Sequence, residues 1–324
     1  MRIRFWGTRG SLPIALTAPE VEAKVAAALL AADGRRFADL AAARAFAATL
    51  PFHVARTFGG HSSCVEIELH APDTGSHDYI LCDLGSGVRP FGGAVLARHG
   101  ATTPNTFHVF MSHVHWDHIM GFPLFTPAYI PGNLIRIYGC HGELEAAFRA
   151  QHGAPSFPVD FSQLGARIEF VSLSPDVPVT IAGLEVLPKL QIHAGDSYGY
   201  RFAHGGKVFV YSTDSEHKLD DPELTDGFID FFRDADLVVF DAMYSFADAI
   251  SVKEDWGHSS NVVGVELCQL ANAKRLALFH HEPIHDDRRL ADIEAETRRF
   301  EEITRVDAAP LEVFAAYDGL EVTL

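Results

Sequence analysis

One hexapeptide limits the folds open to this chain more than any other feature. His113-Val114-His115-Trp116-Asp117-His118 puts three imidazoles and a carboxylate into six residues. The run before it, Phe107-His108-Val109-Phe110-Met111, reads as a buried strand; Ile119-Met120-Gly121-Phe122 after it reads as the start of a helix or turn. The donors therefore fall where a strand ends, at the rim of a sheet. In extended backbone His113 and His115 point the same way. Asp117 and His118 follow in the turn, so one short loop can serve two metal positions. Neutral imidazole nitrogen and carboxylate oxygen are the donors that Zn²⁺ and Mn²⁺ prefer. A merely solvated loop would not need this spacing.

Charge narrows the partners. The chain of 324 residues has 43 acidic against 26 Lys and Arg side chains, a net charge of −17. A long nucleic acid usually demands a basic surface, so none is expected as a partner. A small anionic ester remains open, because bound cations reverse the local field. Hydrophobic residues make up 48%, enough for one large core and a single domain over 1–324. Cys64, Cys82, Cys140 and Cys268 are scattered and fit neither a zinc knuckle nor a disulfide framework. Met1 to Phe5 reads as a strand rather than a leader, and no run is apolar enough to span a membrane. A cytoplasmic location is the expectation.

Between the first strand, residues 2–6, and the next, two alanine-rich stretches, Glu20–Ala32 and Phe37–Thr49, have helical spacing and flank Asp33-Gly34. They predict a helical insertion over 15–55, packed on the edge of the fold or serving as a lid or homodimer contact. Strands are expected at Cys64–His70, Tyr79–Asp83, Phe107–Ser112, Leu134–Tyr138, Arg167–Val171, Leu184–Lys189, Tyr198–Phe202, Val208–Ser212, Leu237–Asp241, Leu276–Phe279 and Leu311–Ala315. Helices are expected at Val88–His99, Glu143–His152, Ser260–Leu270 and Asp287–Thr304.

The HxHxDH spacing of His113, His115, Asp117 and His118 resembles the signature of the metallo-β-lactamase-fold hydrolases. The match continues in Gln191-Ile192-His193, in Ser212-Thr213-Asp214 and in Leu278-Phe279-His280, in the family's order. Phe5-Trp6-Gly7-Thr8-Arg9-Gly10-Ser11 and Gly257-His258-Ser259 are similar to the branch holding the tRNA 3′-processing ribonuclease (RNase Z) and small cyclic-phosphate phosphodiesterases. Nearly the whole chain is covered, apart from residues of about 15–55.

The resemblance implies an αββα four-layer sandwich, two sheets face to face with helices outside. It implies two divalent ions, Zn or Mn, with Fe also compatible. His113, His115 and His193 would hold one; Asp117, His118 and His280 the other; Asp214 would bridge them. Two cations about 3.5–4 Å apart can share a hydroxide that attacks phosphorus. Asp117 and His258 are the catalytic candidates, with His258 as proton donor to the leaving alkoxide. His281 competes with His280 for the last ligand position. His61 stands where the branch would have Asn and reads as a hydrogen-bonded loop residue. Asp83 reads as a carboxylate that orients a ligand histidine. Phe122–Tyr129 and Pro155–Val159 are candidates for an aromatic wall at the cleft, and Arg9 for a phosphate contact or a structural salt bridge.

The implied activity is a phosphodiesterase for small organic phosphates, cyclic ones included. RNA cleavage, lactone or thioester hydrolysis, and a non-catalytic metal-dependent sensor are the alternatives. The Ser-Thr-Asp214 context speaks against β-lactam opening, the acidity against tRNA, and the two glycine motifs against lactones.

Overall fold

The computed structural model describes residues 1–69, 77–217, 221–244, 257–306 and 309–324. Fourteen strands are found among them, in two seven-stranded sheets. The first contains β1 (Arg2–Gly7), β2 (Cys64–Glu68), β3 (Asp78–Cys82), β4 (Thr106–Phe110), β5 (Leu134–Gly139), β6 (Arg167–Ser172) and β14 (Glu321–Thr323), in the order β14-β1-β2-β3-β4-β5-β6. The second contains β7 (Val179–Ile181), β8 (Leu184–Gln191), β9 (Ser197–His204), β10 (Lys207–Ser212), β11 (Leu237–Asp241), β12 (Arg275–Phe279) and β13 (Glu312–Ala315), in the order β13-β12-β11-β10-β9-β8-β7. Each sheet runs antiparallel at one end and parallel at the other. In the first, β3 to β6 are parallel neighbours, and in the second, β10 to β13.

The strand sequences dictate this layering. Parallel strands covered on both faces need apolar residues at successive positions. In β11, Leu237 and Val239 face the space between the sheets while Val238 and Phe240 face outward; in β12, Ala277 and Phe279 face in, Leu276 and Leu278 out. Between the sheets, Phe5, Ile67, Ile80 and Phe110 pack against Tyr200, Phe202, Phe209 and Phe279. Full burial of one such side chain contributes roughly 1.5–3 kcal/mol. Outside the first sheet lies α4 (Val88–His99), whose Val88, Phe91 and Val95 meet Val109, Ile135 and Ile137. Outside the second lie α7 (Pro222–Phe232), α8 (Asn261–Leu270) and α9 (Asp287–Thr304). Their first turns are fixed by Asp221, Ser260 and Asp286, whose side chains accept backbone N–H bonds. The expected αββα sandwich is the observed fold.

The segment between β1 and β2 holds α1 (Ala18–Ala32), α2 (Leu40–Ala47) and α3 (Phe52–Ala55). The second helix is shorter than the expected Phe37–Thr49, because Asp39 caps it by accepting from the Ala42 N–H. None of the three has a fully buried residue. It is fastened by an ion pair and by aromatic packing: Lys24 Nζ lies 2.7 Å from Asp287 Oδ2 at the start of α9 and donates to the Arg56 carbonyl at 2.9 Å, and Phe52 of α3 packs against Phe58 and Tyr317. Expected Glu143–His152 narrows to α6 (Leu144–Ala150). Strands β7 and β14 and helices α3 and α7 had no counterpart among the expected elements. The last carries an Asp221-Pro222 start that could have betrayed it. His70, expected to end β2, lies outside the described residues.

Candidate metal centre

The site sits on the rim where the parallel strands of both sheets end. The loop after β4 brings His113 and His115, then one turn of helix, α5 (Trp116–Ile119), brings Asp117 and His118. His193 follows β8, Asp214 follows β10 and His280 follows β12. Asp83 after β3, Asp214 and His280 all adopt positive φ, at 60°, 44° and 58°. Non-glycine residues rarely occupy that region. The chain turns there by leaving extended backbone abruptly, which swings each side chain over the rim. A Cβ on Gly10 would run into the His280 ring, so only glycine lets this loop pass.

All seven expected ligands converge. One donor atom each from His113, His115 and His193 fall within 4.8 Å of one another, and so do those from Asp117, His118, Asp214 and His280. Asp214 touches both groups. Its Oδ1 is 3.2 Å from His118 Nε2, while Oδ2 is 3.3 Å from His280 Nε2, 3.7 Å from His113 Nε2 and 3.8 Å from His193 Nε2. Asp117 Oδ2 lies 3.2 Å from both His118 Nε2 and His280 Nε2, and accepts the Ser11 N–H at 2.8 Å.

The surroundings set the tautomers. His193 Nδ1–H donates to the Gly257 carbonyl at 2.7 Å, leaving the Nε2 lone pair facing the cluster. A Cβ at Gly257 would lie 2.6 Å from that Nδ1. His118 Nδ1–H donates to Asp83 Oδ2 at 2.8 Å. The same carboxylate accepts from Ser112 Oγ at 2.7 Å and from the Tyr211 hydroxyl at 2.7 Å. Ser112 Oγ in turn lies 3.1 Å from His113 Nδ1. Asp83 thus orients His118 directly and His113 through Ser112.

Electrostatics supports a cation. Burial, then the neighbouring His118, lowers His113 well below the usual imidazole range. Burial likewise lowers His115 and His193, so these three are neutral and free to donate lone pairs. Burial opposes charge on His118, but Asp214, Asp117 and Asp83 outweigh it and raise its proton affinity well above normal. Asp214 and Asp117 are held below the usual carboxylate range despite burial, chiefly by His118. A pocket that retains a proton this strongly is a pocket of negative potential, and a dication answers it. The buried Nε2 of His113 finds no hydrogen-bond partner among the described residues, which fits a nitrogen reserved for metal. The donor set therefore suits divalent ions.

His258 lies beside the cluster, its ring 5.1 Å from those of both His193 and His280. Its Nδ1–H donates to Asp241 Oδ2 at 2.8 Å. Asp241 escaped the sequence reading, although it ends a hydrophobic strand just as Asp83 does. His280 and His281 separate cleanly: His280 enters the cluster, while His281 Nε2–H donates to the Ala316 carbonyl at 2.8 Å. His61 Nδ1 lies 3.1 Å from Ser86 Oγ, in a loop hydrogen bond. Arg9 needs correction on both expected roles. It is fully buried and donates to the carbonyls of Gly59, Glu282 and His285, so it ties backbone loops together and does not reach toward a phosphate. The aromatic wall is also reduced. Phe122 and Phe125 are buried in the outer core, and Pro123, Leu124 and Phe157 are left to line an open groove.

The chain belongs to the metallo-β-lactamase-fold hydrolases: the profile of the beta-lactamase superfamily domain matches residues 79–281. Members of that fold bind divalent metals, in keeping with the His/Asp cluster. An uncharacterized protein of Mycobacterium leprae, ML1173, is 30% identical over 187 residues, which cover 55% of this chain and 58% of that protein. The chain thus spans less than two thirds of that relative. A ribonuclease Z of Bradyrhizobium diazoefficiens is 24% identical over 71% of this chain and 87% of its own. Among solved structures, the metallo-beta-lactamase fold protein YhfI of Bacillus subtilis superposes with a TM-score of 0.61 at 18% identity, covering 99% and 98% of the two chains. A diphosphatase of the PhnP family gives 0.57 at 17%, covering 100% and 97%. These two likenesses concern the fold alone. Among the described residues no helix is long and apolar enough to cross a membrane.

Proposed function

We propose that the protein is a binuclear metal-dependent phosphodiesterase acting on small organic phosphates, cyclic ones included. The observation that carries this reading is Asp214, a buried carboxylate whose two oxygens face both donor groups at 3.2–3.8 Å. His113, His115 and His193 would hold one ion, Asp117, His118 and His280 the second, with Asp214 common to both. Zn, Mn or Fe suits these nitrogen and oxygen donors. Such a pair lowers the proton affinity of water and neutralises charge on phosphoryl oxygens.

The chain's own residues supply the rest. Asp83 and the Gly257 carbonyl fix His118 and His193 with Nε2 toward the site. Asp241 holds His258 by Nδ1, so that Nε2 carries the proton to be given to the leaving oxygen. Burial disfavours charge on His258, but Asp241, with help from Asp214 and Asp117, outweighs it and raises the imidazole to about 9. Asp241, which is outside the proposed ligand set, thus favours the protonated donor, while cations at Asp214 and Asp117 would offset part of the rise.

A second reading, tRNA 3′ processing, draws on the relative named ribonuclease Z. The net charge of −17 speaks against it. The deciding experiment combines elemental analysis of protein purified without chelator with hydrolysis of bis(p-nitrophenyl) phosphate. Full metal occupancy with no hydrolysis of this or any small diester would sink the proposal.

A further inference from the structure

One histidine outside the donor cluster acts on it by way of a loop. His141 stands just beyond β5, on the rim of the first sheet, and is buried. Its Nε2–H donates to the Asp196 carbonyl at 3.0 Å. Asp196 belongs to residues 192–196, the short connection between β8 and β9 that carries His193. A carbonyl only accepts, so this bond places the imidazole proton on Nε2. Nδ1 is then a buried acceptor with no partner among the described residues. An unmet buried acceptor is costly, so the ring is a poor space filler and its contribution is the bond to Asp196.

The loop needs holding. Gly195 and Asp196 take consecutive positive φ, 82° and 56°, a region that a residue with a side chain enters at a cost. The base of the loop is closed within the second sheet, where Gln191 of β8 pairs with Ser197 of β9. Its tip lies against a ligand from the first sheet: a Cβ on Gly195 would stand 3.6 Å from His115 Nε2. There the His141 bond ties it, with the His141 ring set edge-on to Tyr198 at 4.8 Å. The Tyr198 N–H, donated to the Ser112 carbonyl at 2.8 Å, makes a second tie between the sheets. The Gly257 carbonyl fixes the rotation of the His193 ring, and His141 fixes the backbone from which that ring hangs.

We propose that His141 is a positioning residue, which latches the His193 loop to the first sheet and so completes the His113, His115 and His193 position. The other position does not depend on the latch: the Ser11 N–H holds Asp117, and Asp83 holds His118. The division into two ion positions rests on the binuclear reading, whereas the latch itself does not.

Two variants isolate the bond. His141→Leu fills the space without a donor, and His141→Gln offers an amide N–H at a reach similar to that of imidazole Nε2. In metal-free protein, amide hydrogen exchange over residues 192–198 should be about fivefold faster in His141→Leu than in wild type, and close to wild type in His141→Gln. In protein loaded with Zn²⁺, competition with a chelator should show one ion held about tenfold more weakly in His141→Leu and the other unchanged. Wild-type exchange rates in His141→Leu overturn the latch, and so does an effect that His141→Gln fails to restore. Equal weakening of both ions overturns its assignment to one position. Wild type that takes up fewer than two ions defeats the binuclear reading, and the exchange measurement still decides the latch.

Discussion

The imidazole of His258 is held by Asp241 through a 2.8 Å hydrogen bond at Nδ1, which leaves its other nitrogen beside the His/Asp donor cluster. This pairing resembles the carboxylate–imidazole relationship that fixes tautomer and charge in many general acids and bases.

His258→Ala should therefore slow esters with alkoxide leaving groups by about 10²–10⁴-fold while affecting p-nitrophenyl esters far less. Nitrophenolate departs without a proton; an alkoxide does not. In wild type the protonated form is lost as pH rises, so turnover of alkoxide esters should fall on the basic side, at or below about 9. Cations on Asp214 and Asp117 cancel part of what raises His258, which moves the limb downward. Metal content should be unchanged, since His258 is outside the proposed ligand set. Equal slowing of both ester classes with metals retained would mean that His258 only positions substrate.

Asp214→Ala should cost most of the paired metal occupancy, because one carboxylate faces both donor groups. Elemental analysis before and after dialysis provides the measurement. Rigorous chelation of wild type should abolish activity, and re-addition of Zn or Mn should restore it. Full turnover by demonstrably metal-free protein would refute the metal mechanism.

Precursor tRNA should not bind tightly. A net charge of −17 repels a polyanion, and the sequence has no Lys/Arg cluster to compensate locally. A gel shift at moderate salt checks this; submicromolar, salt-sensitive binding would promote the ribonuclease reading.

Glu66 offers a test of the fold rather than the site. It is buried on β2 and accepts the Trp6 Nε1–H at 2.8 Å. Burial raises its carboxyl from 4.5 to about 7, with the Trp6 bond opposing. The folded protein thus holds this proton more tightly than the unfolded chain. Stability should fall as pH rises from about 4.5 to 7 and level off above, by about 3 kcal/mol. Glu66→Gln keeps an acceptor for Trp6 and removes the titration. Urea unfolding of metal-free protein at pH 5 and pH 8 should show the variant gaining stability relative to wild type at the higher pH only. The same pH dependence in both proteins would exclude Glu66 as its source.

Much of this was legible because the chemistry is periodic or local. His113 to His118 lie in one loop, and the strand endings before His193, Asp214 and His280 are plain hydrophobic runs. The αββα layering was implied by the family resemblance, and the strands with apolar residues at successive positions agree with it. What escaped depends on distance in space. Whether His280 or His281 faces the cluster is decided by the sharp turn at positive φ and by the Ala316 carbonyl, 35 residues from His281. Arg9 has a phosphate-binding residue's chemistry, yet carbonyls from two remote loops claim its guanidinium. Asp241 became significant only once His258 was seen against it. The two short edge strands, β7 and β14, have three residues each, too few for an alternating pattern to register.

The division of donors between the sheets has a temporal meaning. The first sheet and its loop contribute His113, His115, Asp117 and His118; the second contributes His193, Asp214 and His280. A chain emerging from the ribosome therefore carries four side chains of an unfinished chelator long before the remaining three are synthesised. On the proposed ligand set, neither cation position is complete in the early chain, because His193 and Asp214 belong to the later half. Maturation with metal must then wait for β12 to join its sheet, and a product truncated ahead of residue 280 would leave the cell with a binding loop but no hydrolase.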